Sequence, residues 1–318
     1  LPELLEGYDT TLVAGIGCGG QMHGLVVLDA NDEVIRPAIL WNDGRTQEEC
    51  DYLNKTIGRE KISAYTANMA LTGFTAPKIL WVKKNEPENF AKIAKIMLPK
   101  DYLAYLLSGV HCTDVSDASG MLLMDVENKC WSKEMMEICD VKEDQLAKIF
   151  ESYDVVGTIK ADVAERLGLS ADVKIIAGAG DNAAGAVGTG TTKDGMCIVS
   201  LGTSGTVFVS CDKFAVDDQN ALHMFAHANG KFHLMGCMLS AASSNKWWMD
   251  EIIGTKDYAA EQKAIEKLGE NHVYFLPYLM GERSPHNNPN ARGTFIGLTM
   301  DNTRADMTQA VLEGVMMK

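Results

Sequence analysis

Apolar and small residues open the chain in two extended runs. Residues 12–17 and 24–28 read as strands, the turn Asp29-Ala30-Asn31-Asp32 follows, and Val34-Ile35 resumes an extended path. From Arg45 to about Tyr105 helical signals dominate, with Thr46 placed ahead of Glu48 and Glu49 at the first helix start. Met121-Leu122-Leu123-Met124-Asp125 predicts a strand, and 131–139 predicts the helix after it. A short strand and a helix within 155–169 lead to a further strand at Val173-Lys174-Ile175-Ile176. Past Gly190 the pattern turns β-rich. Residues 196–200, 206–209 and 232–235 are predicted strands joined by glycine turns, and helices follow over 242–253 and 258–268. Strands, then helices, then strands again predict an α/β architecture. With no tandem repeat or low-complexity linker, the division is placed near residue 191, giving domains 1–190 and 191–318.

The run Gly178-Ala179-Gly180-Asp181-Asn182-Ala183-Ala184-Gly185-Ala186-Val187-Gly188 sets one acid among small residues directly after a strand. Small side chains let a ligand approach the backbone, and the segment after Asp181 reads as a short helix. A carboxylate at a helix start accepts backbone N–H groups and meets the positive end of the macrodipole. Both effects favour ionisation, so Asp181 is expected to be charged at neutral pH and able to take a proton from a hydroxyl. The motif alone reads first as an ordinary helix cap. A dinucleotide fingerprint is matched in spacing twice, at Gly15-x-Gly17-x-x-Gly20 and at Gly178-x-Gly180-x-x-Ala183. The first lacks the helix that must follow, and the second puts Asp181 where a pyrophosphate must reach amides, so a nicotinamide oxidoreductase is rejected.

Three further groups carry candidate chemistry. Gly202-Thr203-Ser204-Gly205-Thr206 lies between two β segments and fits either a concavity for phosphate oxygens or a plain hairpin turn. Gln21-Met22-His23 offers an amide, a soft apolar contact and an imidazole, a set suited to a polyol, although a histidine at a strand end also serves structure. Trp41, Asn42, Asp43 and Arg45 form a polar cluster around one indole. His223 and His227 have i, i+4 spacing, but that spacing converges on a metal only in a helix, and this region reads as strand and turn. No zinc site is assigned.

Composition narrows the function classes. A chain of 318 residues most naturally forms two domains, and 46% hydrophobic with 23% charged residues is ordinary for a soluble globular protein. No apolar run reaches the roughly 18 residues of a membrane span, and the first residues lack the basic start and apolar stretch of a signal peptide, so the cytoplasm is expected. A net charge of −14 argues against nucleic acid and anionic membranes as partners. It still allows a nucleotide whose charge is met by Mg²⁺ and backbone amides. Eight cysteines without a C-x-x-C pair read as reduced thiols.

Residues 73–85 (Gly-Phe-Thr-Ala-Pro-Lys-Ile-Leu-Trp-Val-Lys-Lys-Asn) and 293–313 (from Gly293-Thr294-Phe295-Ile296-Gly297-Leu298 to Ala310-Val311-Leu312-Glu313) resemble the two signature segments of the FGGY carbohydrate kinases, and stand in that family's order around Asp181. Gln21-Met22-His23-Gly24, Trp41-Asn42-Asp43-Gly44-Arg45-Thr46 and Pro277-Tyr278-Leu279-Met280-Gly281-Glu282-Arg283-Ser284-Pro285 resemble its xylulokinase branch. The resemblance implies the two-domain ribonuclease-H-like fold shared with hexokinase and actin, with ligands in the cleft between domains. It implies ATP and Mg²⁺ as cofactors, D-xylulose as substrate and Asp181 as general base. It carries sugar binding to Gln21, Met22, His23, Trp41, Asp181 and Asn182, and the ATP phosphates to Gly202, Thr203 and Ser204.

Asp43 and Arg45 either brace the sugar or pair with each other. The Lys78 segment, an amphipathic helix with Trp81 three residues on, reads as packing and is not assigned to catalysis. A homodimer is the family habit. The family also begins with an Asp-Gly-Thr phosphate loop and ends with a glycine-rich adenosine motif, and neither stands within residues 1–318. The resemblance thus implies a fold incomplete at both termini, and little or no kinase activity from these residues alone. Alternatives are a family kinase for another ketose or polyol, and a non-catalytic sugar-binding protein of the same fold.

Overall fold

A computed structural model describes residues 2–266, 268–288 and 290–317. Gly15–Gly20, with the sequence Gly-Ile-Gly-Cys-Gly-Gly, is a strand although glycine is a poor strand former. Its pairing holds it extended. It runs parallel to Lys174–Gly180, with Gly15 opposite Lys174 and Gly20 opposite Gly180, and Val155–Thr158 lies antiparallel on the far side of Lys174–Gly180. One extra residue enters Lys174–Gly180 where the register moves from Gly17↔Ile176 to Gly19↔Ala179. Gly178 sits in that bulge at φ +79°, and a Cβ there would stand 2.1 Å from the Cys18 carbonyl oxygen. Only glycine fits. The G-x-G-x-x-G spacing at 15–20 is therefore the strand itself. The strand starts three residues later than predicted, because Thr10–Leu12 form a 3₁₀ turn capped by the Asp9 carboxylate.

The chain divides into two compact units, Leu1–Met196 with Ser210–Leu234, and Cys197–Val209 with Met235–Lys318. It passes between them at Met196–Cys197 and within the strands Gly205–Cys211 and Phe232–Met238.

In the first unit the helix Pro99–Ser108 packs on the three-stranded sheet. Proline at its first position suits the missing N–H, the Asp101 carboxylate accepts the Leu98 amide at 3.2 Å, and Gly109 at φ +75° ends it. Ala104 and Leu107 meet Cys112, Ile159, Ala164, Val173 and Ile175 in one buried cluster, where each large side chain contributes about 1.5–3 kcal/mol. Lys100 enters the same interior with its side chain wholly buried, 2.8 Å from Asp101 and 3.0 Å from Asp114. Helical segments fill 47–66, as Gln47–Asp51, a π-helical Tyr52–Gly58 and Arg59–Thr66, and Thr75–Asn85 follows. Two predicted strands are shorter than expected. Residues 24–28 contract to Val26–Leu28, paired with Lys95–Met97. Residues 121–125 contract to Met124–Asp125, because Ser119–Met121 is a 3₁₀ turn and Leu122 takes φ +60°.

In the second unit Cys197–Leu201 folds back antiparallel from Leu201↔Gly205 to Cys197↔Val209. Tyr274–Leu276 pairs with Thr294–Ile296, and the helix Arg304–Met316 lies on that pair. Thr303 and Asp306 cap the helix reciprocally. Trp248, Met249, Val273, Phe275, Ala310 and Val311 form its core, where the Trp248 indole N–H donates to Thr308 Oγ1 at 2.9 Å. The predicted helix 242–253 is α over Ala242–Trp247 and π over Trp248–Ile253. The one predicted over 258–268 is helical over Tyr258–Lys263, and Lys267 lies outside the described residues. Among the described residues no helix is long and apolar enough to cross a membrane.

The bulge gives a direct test. Gly178→Ala must move the Cys18 carbonyl or abandon the left-handed conformation, and is expected to lower the unfolding free energy by about 2 kcal/mol or more, read as a fall in the urea midpoint.

Candidate active site

Beyond Gly20 the chain turns sharply, and His23 takes φ +71°, a conformation that few residues other than glycine adopt. Its surroundings hold it there. The imidazole Nδ1–H donates to the Gly120 carbonyl at 2.7 Å, and the His23 carbonyl accepts from Thr75 Oγ1 at 3.0 Å and from Lys78 Nζ at 3.2 Å. Lys78, fully buried, also donates to the carbonyls of Gly73 and Phe74. Its role is thus more than packing: its ammonium gathers three carbonyls and fixes the His23 backbone. The sequence signal was a lysine on the apolar side of a short helix, a position that no solvated surface lysine needs. Gly120 must lack a side chain, since a Cβ there would lie 2.5 Å from His23 Nδ1 and 2.9 Å from Met22 Cε.

Met22 is buried against Gly180, its Cγ 2.9 Å from where a Gly180 Cβ would stand. Gly180 is also the partner of Gly20 in the sheet. The turn Gln21-Met22-His23 and the start of the helix Asp181–Gly188 thus share one end of the parallel strand pair. Asp181 is the first residue of that helix and Gly180 its cap. It accepts from the Asn182 amide at 2.8 Å and from Asn182 Nδ2 at 3.0 Å. The net shift runs opposite to the one expected. Solvent reaches Asp181, yet the protein around its remaining sides desolvates the carboxyl and raises its pKa, more than the Asn182 hydrogen bonds lower it.

Aromatic rings extend from His23. Phe74 lies 4.7 Å away between ring centres, Phe225 lies 6.2 Å away, and His223 stacks on Phe225 at 5.5 Å with 15° between planes. His233 meets Phe225 at 5.6 Å and His227 at 5.8 Å. Burial drives the His233 pKa well below the ordinary value, with neighbouring His227 adding to the effect, and burial lowers His227 as well. These histidines belong to a desolvated aromatic layer, with His223 on the strand His223–Ala226.

Trp41 is 44% exposed within the Leu40–Asp43 turn. The indole beside Arg45 is Trp81, not Trp41. The guanidinium lies 4.8 Å over the Trp81 ring and grips both Asp43 oxygens, at 2.9 and 2.7 Å, which holds the Asp43 carboxyl below its usual range. Gly202-Thr203-Ser204 forms the hairpin turn of the second unit. Its carbonyls are engaged: Gly202 accepts from the Ala242 amide at 2.9 Å, and Thr203 from the Ala241 amide at 3.0 Å and from Ser243 Oγ at 2.7 Å.

A family model for the FGGY carbohydrate kinase N-terminal domain matches residues 3–188, and the C-terminal model matches 197–318. The chain belongs to the FGGY family of carbohydrate kinases. Its relatives include the xylulose kinase of Escherichia coli K12, 44% identical over 95% of this chain and 62% of that protein, and the xylulose kinase of Bacillus subtilis, 37% identical over 95% and 61%. The chain thus spans about 62% of the length of such curated relatives. Among solved structures it resembles a xyloylose kinase from Brucella ovis, with a TM-score of 0.91 and 42% identity over 96% of this chain and 63% of that one. It also resembles a Plasmodium falciparum glycerol kinase with ADP, with a TM-score of 0.87 and 25% identity over 98% and 64%. The fold is the actin-like ribonuclease-H fold of these FGGY sugar kinases, as the motifs implied.

Lys78→Met should separate a buried anchor from a surface charge. It leaves three carbonyls without their cation and is expected to cost about 2 kcal/mol or more, whereas Lys83→Met on the exposed side of the same helix should cost less than about 1 kcal/mol. Equal shifts of the two urea midpoints would contradict the anchoring role.

Proposed function

We propose that this chain carries the sugar site and a phosphate-binding turn of a kinase that transfers the γ-phosphoryl group of ATP to the 5-hydroxyl of D-xylulose. The observation behind this reading is the meeting of Met22, His23 and Asp181 at one end of the glycine-rich strand pair, in a chain whose relatives include xylulose kinases. Residues 1–190 bind the sugar and 191–318 the nucleotide phosphates. Gln21, Met22, His23, Trp41 and Asn182 line the sugar, with Met22 as apolar floor. Asp181 accepts the hydroxyl proton as that oxygen bonds to the γ-phosphorus and the bond to the departing ADP oxygen breaks. A raised carboxyl pKa serves this step, since a stronger base takes the proton more readily.

Gly202, Thr203 and Ser204 receive phosphate oxygens, where small residues leave the backbone accessible. Mg²⁺ would arrive on the nucleotide and keep most of its waters. Bound in that way, the ion would neutralise charge on the transferring group.

ADP release from Mg-ATP, measured on the full-length protein with D-xylulose, L-ribulose, glycerol and gluconate, tests the reading. D-xylulose should be preferred, and Asp181→Asn should lose about 10²–10⁴-fold in kcat. Activity should be full above the Asp181 pKa and fall as pH drops through it, with that limb above the ordinary aspartate value of about 3.9. Preference for another sugar would move the specificity, and binding without turnover would favour a non-catalytic sugar-binding protein.

A further inference from the structure

Ala177–Gly180 contains only alanine and glycine, with a left-handed residue at Gly178, so its side chains offer little to hold the segment in place. Its position is set from below. Lys100 Nζ donates to the Ala177 carbonyl at 3.0 Å while paired with Asp114 Oδ1 at 3.0 Å, both side chains wholly buried. The other Asp114 oxygen accepts from the Ser116 amide at 2.9 Å, Ser116 Oγ at 2.5 Å and Ser152 Oγ at 2.6 Å. With its proton directed to Asp114, the Ser116 oxygen accepts the Gly180 N–H at 3.1 Å. Both ends of the segment leading to Asp181 are therefore tied to one ion pair.

The charges favour a rigid anchor. Burial alone would lower the Lys100 pKa, but Asp101, Asp114 and Asp117 together outweigh it and hold it well above the ordinary lysine value. Burial, against the pull of Lys100, drives Asp117 well up, with Asp101, Asp114 and Asp181 adding. Asp101 and Asp114 are the nearer partners of Lys100, at 2.8 and 3.0 Å, with Asp117 at 3.9 Å. A hydrogen bond to a charged, desolvated carboxylate is stronger than one between neutral groups.

We propose that Ser116 is a positioning residue for Asp181, coupling the Gly180 amide to the buried Asp114–Lys100 pair so that the carboxylate is presented in one orientation. Its kinetic consequence rests on Asp181 acting as the base of the kinase.

Ser116→Ala deletes both the donor to Asp114 and the acceptor for Gly180. Ser116→Cys is a second variant, similar in size and a weak acceptor. Ser152→Ala is the control: it removes a donor from the same Asp114 oxygen, while the Ser152 carbonyl still accepts from the Gly178 amide. In the full-length protein the two Ser116 variants should accelerate amide exchange across 177–183 by about tenfold, with Ser152→Ala near wild type. They should also lower kcat about tenfold with KM within about twofold, the signature of a displaced base and not of lost sugar binding. Equal acceleration of exchange in Ser116→Ala and Ser152→Ala, or none in the Ser116 variants, overturns the proposal. A wild-type protein without turnover on any sugar would remove the kinase reading, and the exchange comparison would still decide the positioning.

Discussion

The parallel pairing of two strands built largely from glycine and alanine is the constraint on which the candidate site depends. Gly15–Gly20 and Lys174–Gly180 come from segments more than 150 residues apart, and their register ends with Gly20 opposite Gly180. That register puts the Met22 side chain on Gly180 and Asp181 one residue further on. Any larger residue at Gly178 would meet the Cys18 carbonyl and displace the end of the sheet. The absence of side chains here lets two backbones and a methionine pack closely together.

Such a segment has little stiffness of its own, and the protein supplies it through buried cations. Lys78 gathers three carbonyls beneath His23, and Lys100 holds Ala177 while paired with aspartates. Each ammonium loses its hydration on burial and recovers that loss only through these partners. Each is therefore tied to one geometry, and that geometry passes to the backbone of the neighbouring site residue. Desolvation shapes the acid as well. The helix start was expected to lower the Asp181 pKa, but burial outweighs the local hydrogen bonds and raises it.

Much of this was legible in the sequence. The strand and helix order and the Asp181 helix followed from runs of residue type and from two family signatures. Less was legible where the deciding contact is distant in sequence. Lys78 looked like one side of an amphipathic helix because its partner, the His23 carbonyl, is 55 residues away. Arg45 was grouped with Trp41 by proximity along the chain, whereas its ring is Trp81. Ser116 carried no signal, since its meaning comes from the Gly180 amide 64 residues later.

By itself the sequence determined the α/β class, the FGGY family and the acid at the start of a glycine-rich helix, because these depend on local pattern and residue order. Tertiary structure alone decided the strand register, the burial of Lys78 and Lys100, and the direction of the Asp181 pKa. Each of those depends on which distant atoms exclude water from a given group, and chain order does not encode solvent exclusion.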